Sequence, residues 1–285
     1  MATSLNGQEL VEFIKVRQLK QVRGLRQAEK IIPRLAIVCC GTPNPVIQTY
    51  VRLKKAYGED ILVEVDEYLE TITTVQARIR QLASDDTVHG IIVQLPIDPV
   101  AETDVVLAHI PAQKDVDGLV EGSQFTAATP TAISWLLAGY GVSLDAANIA
   151  IVGNGKLVGA PLAALWRASG YTVDVFEKDD GHDLMAELPQ YEVVVTATGV
   201  PGVITSEMLR HGAVVVDAGT ASEDGVIKGD LAAAARQRSD IRCTPEKGGV
   251  GPLTVAALFD NVILAARRCA EARKKTTHVK DTASE

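Results

Sequence analysis

Along this chain, short continuous apolar runs alternate with segments whose apolar residues recur every three or four positions. Leu10, Phe13, Ile14, Leu19, Val22 and Leu25 fall at roughly helical spacing with charges between them, predicting an amphipathic helix over residues 8–32, broken near Gly24. Residues 35–40 form an apolar run of strand length, ended by a Gly-Thr-Pro-Asn-Pro turn at 41–45. The pattern then predicts a helix at 46–57, a strand at 61–65, a helix at 69–82, a buried strand at 90–95 stopped by Pro96, and a short helix at 100–110. A second series follows the turn at 114–118. It holds a helix to about Ala138 with Thr129 as N-cap and Pro130 as its first residue, then strands at 149–152, 172–176, 192–197 and 213–217. A final apolar-periodic segment, 253–270, is expected to be a helix that returns to the first domain, with a polar tail at 274–285 that frays. Strands alternating with helices imply parallel βαβ units, hence a layered α/β fold.

One junction in this pattern carries chemistry. The apolar strand at 149–152 runs into Gly153, Gly155 and Gly159, and an apolar-periodic segment follows. Strand, tight turn and helix start in that order suit a dinucleotide pyrophosphate: glycines let the backbone approach the phosphates, and the N–H groups of a helix start attract their charge. The spacing G-x-G-x-x-x-G is one residue longer than the commonest fingerprint, and a purely structural glycine turn is the alternative. In a doubly wound sheet the carboxyl ends of the strands line the ligand crevice. The candidate cofactor contacts are therefore Gly153, Asn154, Gly155, Lys156 and Val158 in the loop, Glu177 and Lys178 after the next strand, and Thr198 and Gly199 after the strand beyond.

Composition narrows the picture. At 285 residues the chain fits two domains of ordinary size, and 47% hydrophobic with 22% charged residues is the balance of a soluble globular protein. A net charge of -8 argues against a nucleic-acid or anionic-membrane surface. Cys39, Cys40, Cys243 and Cys269 have no C-x-x-C spacing, so they read as buried thiols in a reducing cytoplasm rather than as a disulfide or a metal site. No uninterrupted apolar run reaches membrane length and no cleavable N-terminal leader is evident, so a cytoplasmic location without membrane contact is expected.

Four further residues attract attention. Tyr50 and Lys54 stand at i and i+4, one above the other on a helix face. If that face lines a cleft, the ring is a stacking surface beside an amine. Burial, with Arg52 and Lys55 close by, would then lower the lysine pKa towards neutrality. A solvated helix face is the commoner fate of such a pair. Gln94 closes an apolar strand just before Leu95-Pro96, where it either points into the crevice or caps a turn. Asp117 either accepts paired donors from a planar ligand or makes an Asx-turn.

Together the segments say more than any one. Tyr50-Val-x-x-Lys54, Gly90-Ile-Ile-Val-Gln94-Leu-Pro96, Lys114-Asp-Val-Asp-Gly118, Val152-Gly-x-x-x-x-Val-Gly-x-Pro161 and Thr244-Pro-x-x-Gly-Gly-Val-Gly-Pro-x-Thr254 occur in that order. This series resembles the bifunctional methylenetetrahydrofolate dehydrogenase/methenyltetrahydrofolate cyclohydrolase family, often called FolD, over about residues 8–270. The resemblance implies a two-domain α/β fold. An N-terminal α/β folate domain, 1–118 plus 253–285, would join a Rossmann-type doubly wound nucleotide-binding domain, 119–252, with the folate cleft between them, and two chains would form a homodimer. It implies oxidation of methylenetetrahydrofolate with NADP or NAD, then hydrolysis of the methenyl product to 10-formyltetrahydrofolate. By that similarity Tyr50 would stack on the folate ring, Lys54 would transfer the proton in hydrolysis, Gln94 would hold and tune the lysine, and Asp117 would bind the amino-pyrimidine edge. Gly249 to Pro252 would form part of the cleft wall.

The chain also departs from the family pattern. Gly153-Asn154-Gly155 stands where Gly-Arg-Ser is usual, and the arginine there commonly helps to hold the NADP 2'-phosphate. Glu177 follows about twenty residues on, where an acidic group accepts from a ribose 2'-OH and repels a 2'-phosphate; NAD is therefore the expected preference, with Lys178 as the counterweight. Ile47 precedes Gln48 in place of a serine, Ala127-Ala128-Thr129-Pro130 replaces Pro-Cys-Thr-Pro, Leu119-Val-Glu-Gly122 replaces an asparagine-containing loop, and Glu246-Lys247 replaces valine-proline. These changes leave two alternatives open: another NAD(P)-dependent dehydrogenase on the same plan, or a non-catalytic nucleotide- or folate-binding homologue. Retention of the lysine, glutamine and aspartate favours activity.

Overall fold

The computed structural model describes residues 3–42, 45–178, 180–223 and 226–282, so Pro43 and Asn44 of the turn expected at 41–45 lie outside the described residues. In chain order the elements are β1 (Thr3–Ser4), α1 (Gly7–Gly24), β2 (Arg34–Cys40), α2 (Pro45–Asp60), β3 (Glu64–Glu70), α3 (Val75–Ser84), β4 (Gly90–Val93), α4 (Thr103–Leu107) and α5 (Ala128–Gly139). There follow β5 (Ile149–Val152), α6 (Gly159–Ala168), β6 (Val173–Phe176), α7 (Leu184–Glu187), β7 (Val193–Thr196), β8 (Val214–Asp217), β9 (Ala221–Glu223), β10 (Val226–Lys228), α8 (Ala233–Arg236), β11 (Arg242–Cys243) and α9 (Val250–Thr282). The chain forms two compact units, residues 13–128 with 255–285 and residues 1–12 with 129–254.

The first of these units is built on a three-stranded parallel sheet in the order β3-β2-β4. The central strand β2 is covered on both faces, as a parallel sheet requires, and Leu35, Ala36, Ile37 and Val38 are wholly buried. Val75, Ile79 and Leu82 of α3 pack with Ala36, Val38, Ile91 and Val93 on one side. Elsewhere in the unit Tyr57 of α2 stacks on Phe259 of α9 with ring centroids 5.0 Å apart. The Tyr57 hydroxyl donates to Gln18 Oε1 (2.7 Å), and Gln18 Nε2 donates to Ala256 O (2.8 Å) and Asp260 Oδ1 (3.1 Å). A fully buried amide thus has partners on both ends, which is the condition for burying one.

Two expected elements in this unit are displaced. The strand expected at 61–65 is β3, Glu64–Glu70, and the helix expected at 69–82 is α3, Val75–Ser84. Ile61 and Val63 are buried in the turn that closes α2, which gives that stretch its strand-like look. The true strand lies at the sheet edge and carries Glu64, Asp66, Glu67 and Glu70, so polar side chains hide its period. The helix expected at 100–110 is a 3-10 turn over Val100–Glu102 followed by α4. The break near Gly24 is a π-helical turn, Leu25–Glu29.

The second unit carries a six-stranded, wholly parallel sheet in the order β1-β11-β8-β7-β5-β6. After β5 the chain goes to one side for β6 and returns to the other for β7, so the strand order reverses at β5, directly before Gly153. The antiparallel β9–β10 pair and β11 have no counterpart in the sequence expectation. Helix α5 begins at Ala128, so Thr129 lies inside its first turn instead of capping it.

The unit boundaries differ from those expected. Residues 1–12 belong with the nucleotide-type sheet because β1 pairs with β11, Leu5 N donates to Cys243 O (2.9 Å), and the Tyr140 hydroxyl donates to Asn6 O (3.1 Å). Residues 119–128 belong with the other unit: Val120 N donates to Asp115 Oδ2 (2.8 Å), Ala128 N to Asp117 O (3.3 Å), and Asn261 Nδ2 to Thr126 O (3.0 Å). Helix α9 extends beyond the expected 253–270 and stays helical to Thr282, through most of the tail expected to fray. Over Val250–Lys275 it is long and apolar enough to cross a membrane by composition. Burial of Leu253, Phe259, Val262, Ile263 and Ala266 makes it a core helix here.

His89, at the start of β4, is a buried group whose charge the fold opposes. Its Nδ1 accepts from Arg34 N (3.2 Å), so the neutral ring carries its proton on Nε2, which is buried without a partner among the described residues. Burial, reinforced by Arg273, Lys114 and Arg34, pushes its pKa from 6.5 down to about 4. The unfolded chain therefore binds the extra proton first. The stability that neutral His89 contributes is complete above pH 6.5 and is lost as pH falls through about 4. The loss is on the order of 3 kcal/mol. In urea titrations between pH 7 and pH 4, His89→Gln is expected to flatten the decline by up to one proton; an unchanged slope would assign that proton elsewhere.

Candidate active site

In the unit of residues 13–128 and 255–285, the expected chemical residues meet at the carboxyl end of the small parallel sheet. Buried Ile47 and Val51 seat α2, and Gly58 admits its close approach: a Cβ there would lie 2.5 Å from Val65 Cγ2. Lys54 is half-buried, and its Nζ donates to Gln94 Oε1 at 2.7 Å and stands 5.8 Å from the Tyr50 ring centroid. Gln94 follows β4 directly. Its backbone N donates to Val38 O (2.8 Å) and its Nε2 donates to Leu95 O (3.0 Å), so the oxygen is held towards the amine.

Electrostatics sharpens this group. Burial pushes the Lys54 amine below its usual 10.5, while Asp117 and Cys39 act in the opposite direction. Burial raises the Asp117 carboxyl above 3.8; Lys54 opposes the rise and Asp115 adds to it. An amine lowered and a carboxylate raised in one site is the arrangement expected where protons move near neutrality. The neighbouring cations are not the cause. Lys55 Nζ is paired with Glu67 Oε2 at 2.6 Å, and desolvation leads the shift. Tyr50 is likewise raised above 10.0 by burial.

Several residues in this site are not singled out from the sequence as site residues. Asn261 of α9 donates to Val116 O (2.9 Å) and Thr126 O (3.0 Å), tying down both sides of the Asp117 loop; a polar residue on an otherwise apolar helix face is its only trace in the sequence. Asp115 accepts from Val120 N and braces the same loop, a role the D-x-D spacing suggests. Cys39 on β2 is buried, and burial first, then Glu67, pushes its thiol up to about 11 against the pull of Lys54 and Lys55.

In the unit of residues 1–12 and 129–254, Gly153 has φ +101, and a Cβ there would lie 2.6 Å from Ala197 O. A Cβ on Gly159, the first residue of α6, would lie 1.7 Å from Gly153 O, whereas one on Gly155 would meet nothing. Two glycines are thus required by the turn itself, and the third leaves space open. A backbone bared in this way at the reversal point of a parallel sheet, ahead of a ten-residue helix, fits a dinucleotide pyrophosphate. Asn154 Nδ2 donates to Glu177 Oε1 (2.5 Å), and Lys156 and Lys178 are exposed while Val158 is half-buried. Thr198 N donates to Asp230 Oδ2 (2.6 Å), which fixes the turn leading to Gly199. Asp230 in turn accepts from Thr196 Oγ1 (2.6 Å), and its N donates to Asp217 Oδ1 (3.0 Å). Neither Asp230 nor Asp180, which holds Glu177 N at 2.6 Å, is flagged by the glycine motif. Gly249 is buried against Thr244 in the segment entering α9, and Pro252 is half-buried in that helix; both lie in this unit, not in the one holding Lys54.

A bared glycine turn on a doubly wound sheet, together with a separate unit holding a lysine–glutamine pair, defines a two-domain α/β enzyme of the nucleotide-binding class. Residues 5–117 match the family model described as "Tetrahydrofolate dehydrogenase/cyclohydrolase, catalytic domain", and residues 127–270 match its "NAD(P)-binding domain". The chain belongs to the tetrahydrofolate dehydrogenase/cyclohydrolase family. It is 36% identical over 283 residues to the bifunctional protein FolD of Bordetella petrii, covering 94% of this chain and 95% of that protein. The solved bifunctional FolD enzyme of Campylobacter jejuni is 31% identical with a TM-score of 0.85, covering 94% of this chain and 99% of the other. The FolD of Trypanosoma brucei, solved with NADP cofactor and an inhibitor, is 26% identical with a TM-score of 0.85, covering 94% and 98%.

The glycine geometry yields a test. Gly159→Ala is expected to force Gly153 and α6 apart, lowering stability by roughly 1–3 kcal/mol and weakening dinucleotide binding, as read by thermal melts and calorimetric titration. Unchanged binding would remove the turn from the cofactor site.

Proposed function

We propose that this chain oxidises 5,10-methylenetetrahydrofolate to 5,10-methenyltetrahydrofolate with a nicotinamide dinucleotide and hydrolyses that product to 10-formyltetrahydrofolate. The observation that carries the reading is the Lys54 Nζ–Gln94 Oε1 hydrogen bond of 2.7 Å at an amine whose pKa burial lowers. Family membership supplies the substrate class.

In this reading Tyr50 stacks on the folate ring, and Asp117, as its carboxylate, accepts paired N–H donors from the amino-pyrimidine edge. The nicotinamide accepts the hydride when bound. The chain's own task in that step is alignment, because loss of hydride from a carbon flanked by two nitrogens leaves a cation delocalised over both. Water then adds to that carbon. The neutral Lys54 amine takes up the proton that the water releases, its lone pair oriented because one N–H is committed to Gln94. Cleavage of one carbon–nitrogen bond, with the proton returned to the departing nitrogen and the remaining hydroxyl proton released to solvent as the carbonyl forms, leaves the formyl group on the other nitrogen.

Gly153, Gly155, Lys156 and Val158 carry the dinucleotide pyrophosphate, with Asn154 and Glu177 towards the ribose and Thr198 and Gly199 beside the pyrophosphate. Glu177 supports NAD as the preferred cofactor, since its carboxylate suits a ribose diol and repels a 2'-phosphate. The resemblance to the family also supports a cytoplasmic homodimer.

Lys54→Ala is expected to lower methenyl hydrolysis by about 10²–10⁴-fold, the usual worth of a positioned proton-transfer group, with cofactor binding retained. In the wild type the hydrolysis rate should rise with pH as the amine loses its proton, with a midpoint below 10.5. A single spectrophotometric assay following methenyl formation with NAD and with NADP, and then its decay, reads both activities. Hydrolysis that persists in Lys54→Ala would remove the lysine from its role.

A further inference from the structure

The glycine turn and the strand end opposite it are joined by a side-chain contact. Asn154 is exposed between Gly153 and Gly155, and its Nδ2 donates to Oε1 of Glu177, exposed just beyond β6, at 2.5 Å. From the other side, Glu177 N donates to Asp180 Oδ2 (2.6 Å) while His182 N donates to Asp180 Oδ1 (3.0 Å). The Glu177 backbone is thereby pinned by one carboxylate and its side chain is directed by one amide.

We propose that Asn154 is a positioning residue for cofactor choice: it holds the Glu177 carboxylate at the rim of the glycine turn, where a ribose 2'-hydroxyl is accepted and a 2'-phosphate is turned away. The inference rests on the NAD reading above. The chemistry of the amide is the reason. An arginine or lysine at this position would pair with Glu177 and cancel its charge, or would leave it to engage a phosphate. An asparagine donates a hydrogen bond to the carboxylate and leaves its full negative charge in place. Asp180 adds a second negative charge in the same turn. Its carboxyl is held below the usual aspartate range by the backbone N–H of Glu177 first and of His182 next. A phosphate dianion entering here meets two carboxylates, whereas a hydroxyl meets an acceptor aimed in advance. Preorganisation of that kind raises affinity by removing the cost of ordering a long side chain on binding.

The test uses four proteins: the wild type, Asn154→Ala, Asn154→Leu, which nearly keeps the shape without charge but cannot donate, and Asn154→Gln, which keeps the amide. Two measurements are made on each. One is calorimetric binding of NAD+ and of NADP+ in the absence of folate. The other is the pair of cofactor KM and kcat values for methylenetetrahydrofolate oxidation. The ratio of NAD+ to NADP+ affinity is expected to fall about tenfold in Asn154→Ala and Asn154→Leu and to be largely restored in Asn154→Gln, the change appearing in the cofactor KM values. A purely structural role would weaken both cofactors together. If the wild type favours NAD+ and the ratio stays constant across the variants, Asn154 has no positioning role and the NAD reading stands. If the wild type favours NADP+, the NAD reading fails, and this inference fails with it.

Discussion

A parallel sheet must be covered on both faces, and that requirement decides where this chain can do chemistry. Its inner strands are apolar over most of their length, β4 and β5 throughout, so reactive groups gather where strands end. Gln94 after β4, Gly153 after β5, Glu177 after β6 and Thr198 after β7 all stand at carboxyl ends. Each unit meets the constraint differently. The three-stranded sheet places an amine and an amide at its end, and the six-stranded sheet places bare backbone and carboxylates there.

Burial then does the electrochemical tuning. No cation has to be brought up to Lys54 to weaken its hold on a proton, because Lys55 is occupied by Glu67 and the surroundings suffice. The same surroundings raise Asp117, and the two groups oppose each other's shift through their mutual attraction. Neither group can be altered without moving the other, a coupling that any reading of a pH profile has to respect.

Much of this was legible in the sequence. The apolar runs located β2, β4, β5, β6, β7 and β8, and the i, i+4 pair of Tyr50 and Lys54 was readable as one helix face. Illegible were the elements whose reason for existing is tertiary. β3 is an edge strand coated with acids, β1 and β11 are two-residue strands defined by their pairing, β1 with β11 and β11 with β8, and Ile61 and Val63 look like strand residues because a turn is buried. The same distinction runs through the site. Lys54, Gln94 and Asp117 sit in local motifs, whereas Asn261 supports the Asp117 loop from far along the chain, and no local pattern encodes a contact of that kind. Asp180 shapes Glu177 through a backbone N–H, which leaves no trace in side-chain spacing.

The high pKa of Cys39 bears on side reactions. A cationic one-carbon unit of the kind this family handles is an electrophile, and a thiolate beside it would compete with water and trap the carbon as a thioether-like adduct. Cys39 lies close enough to Lys54 for the two to perturb each other, yet burial pushes its thiol up to about 11. At pH 7 that leaves on the order of one thiol in ten thousand ionised. The same desolvation lowers the amine and raises the thiol, so one physical effect makes the lysine readier to lose its proton and keeps the sulfur protonated.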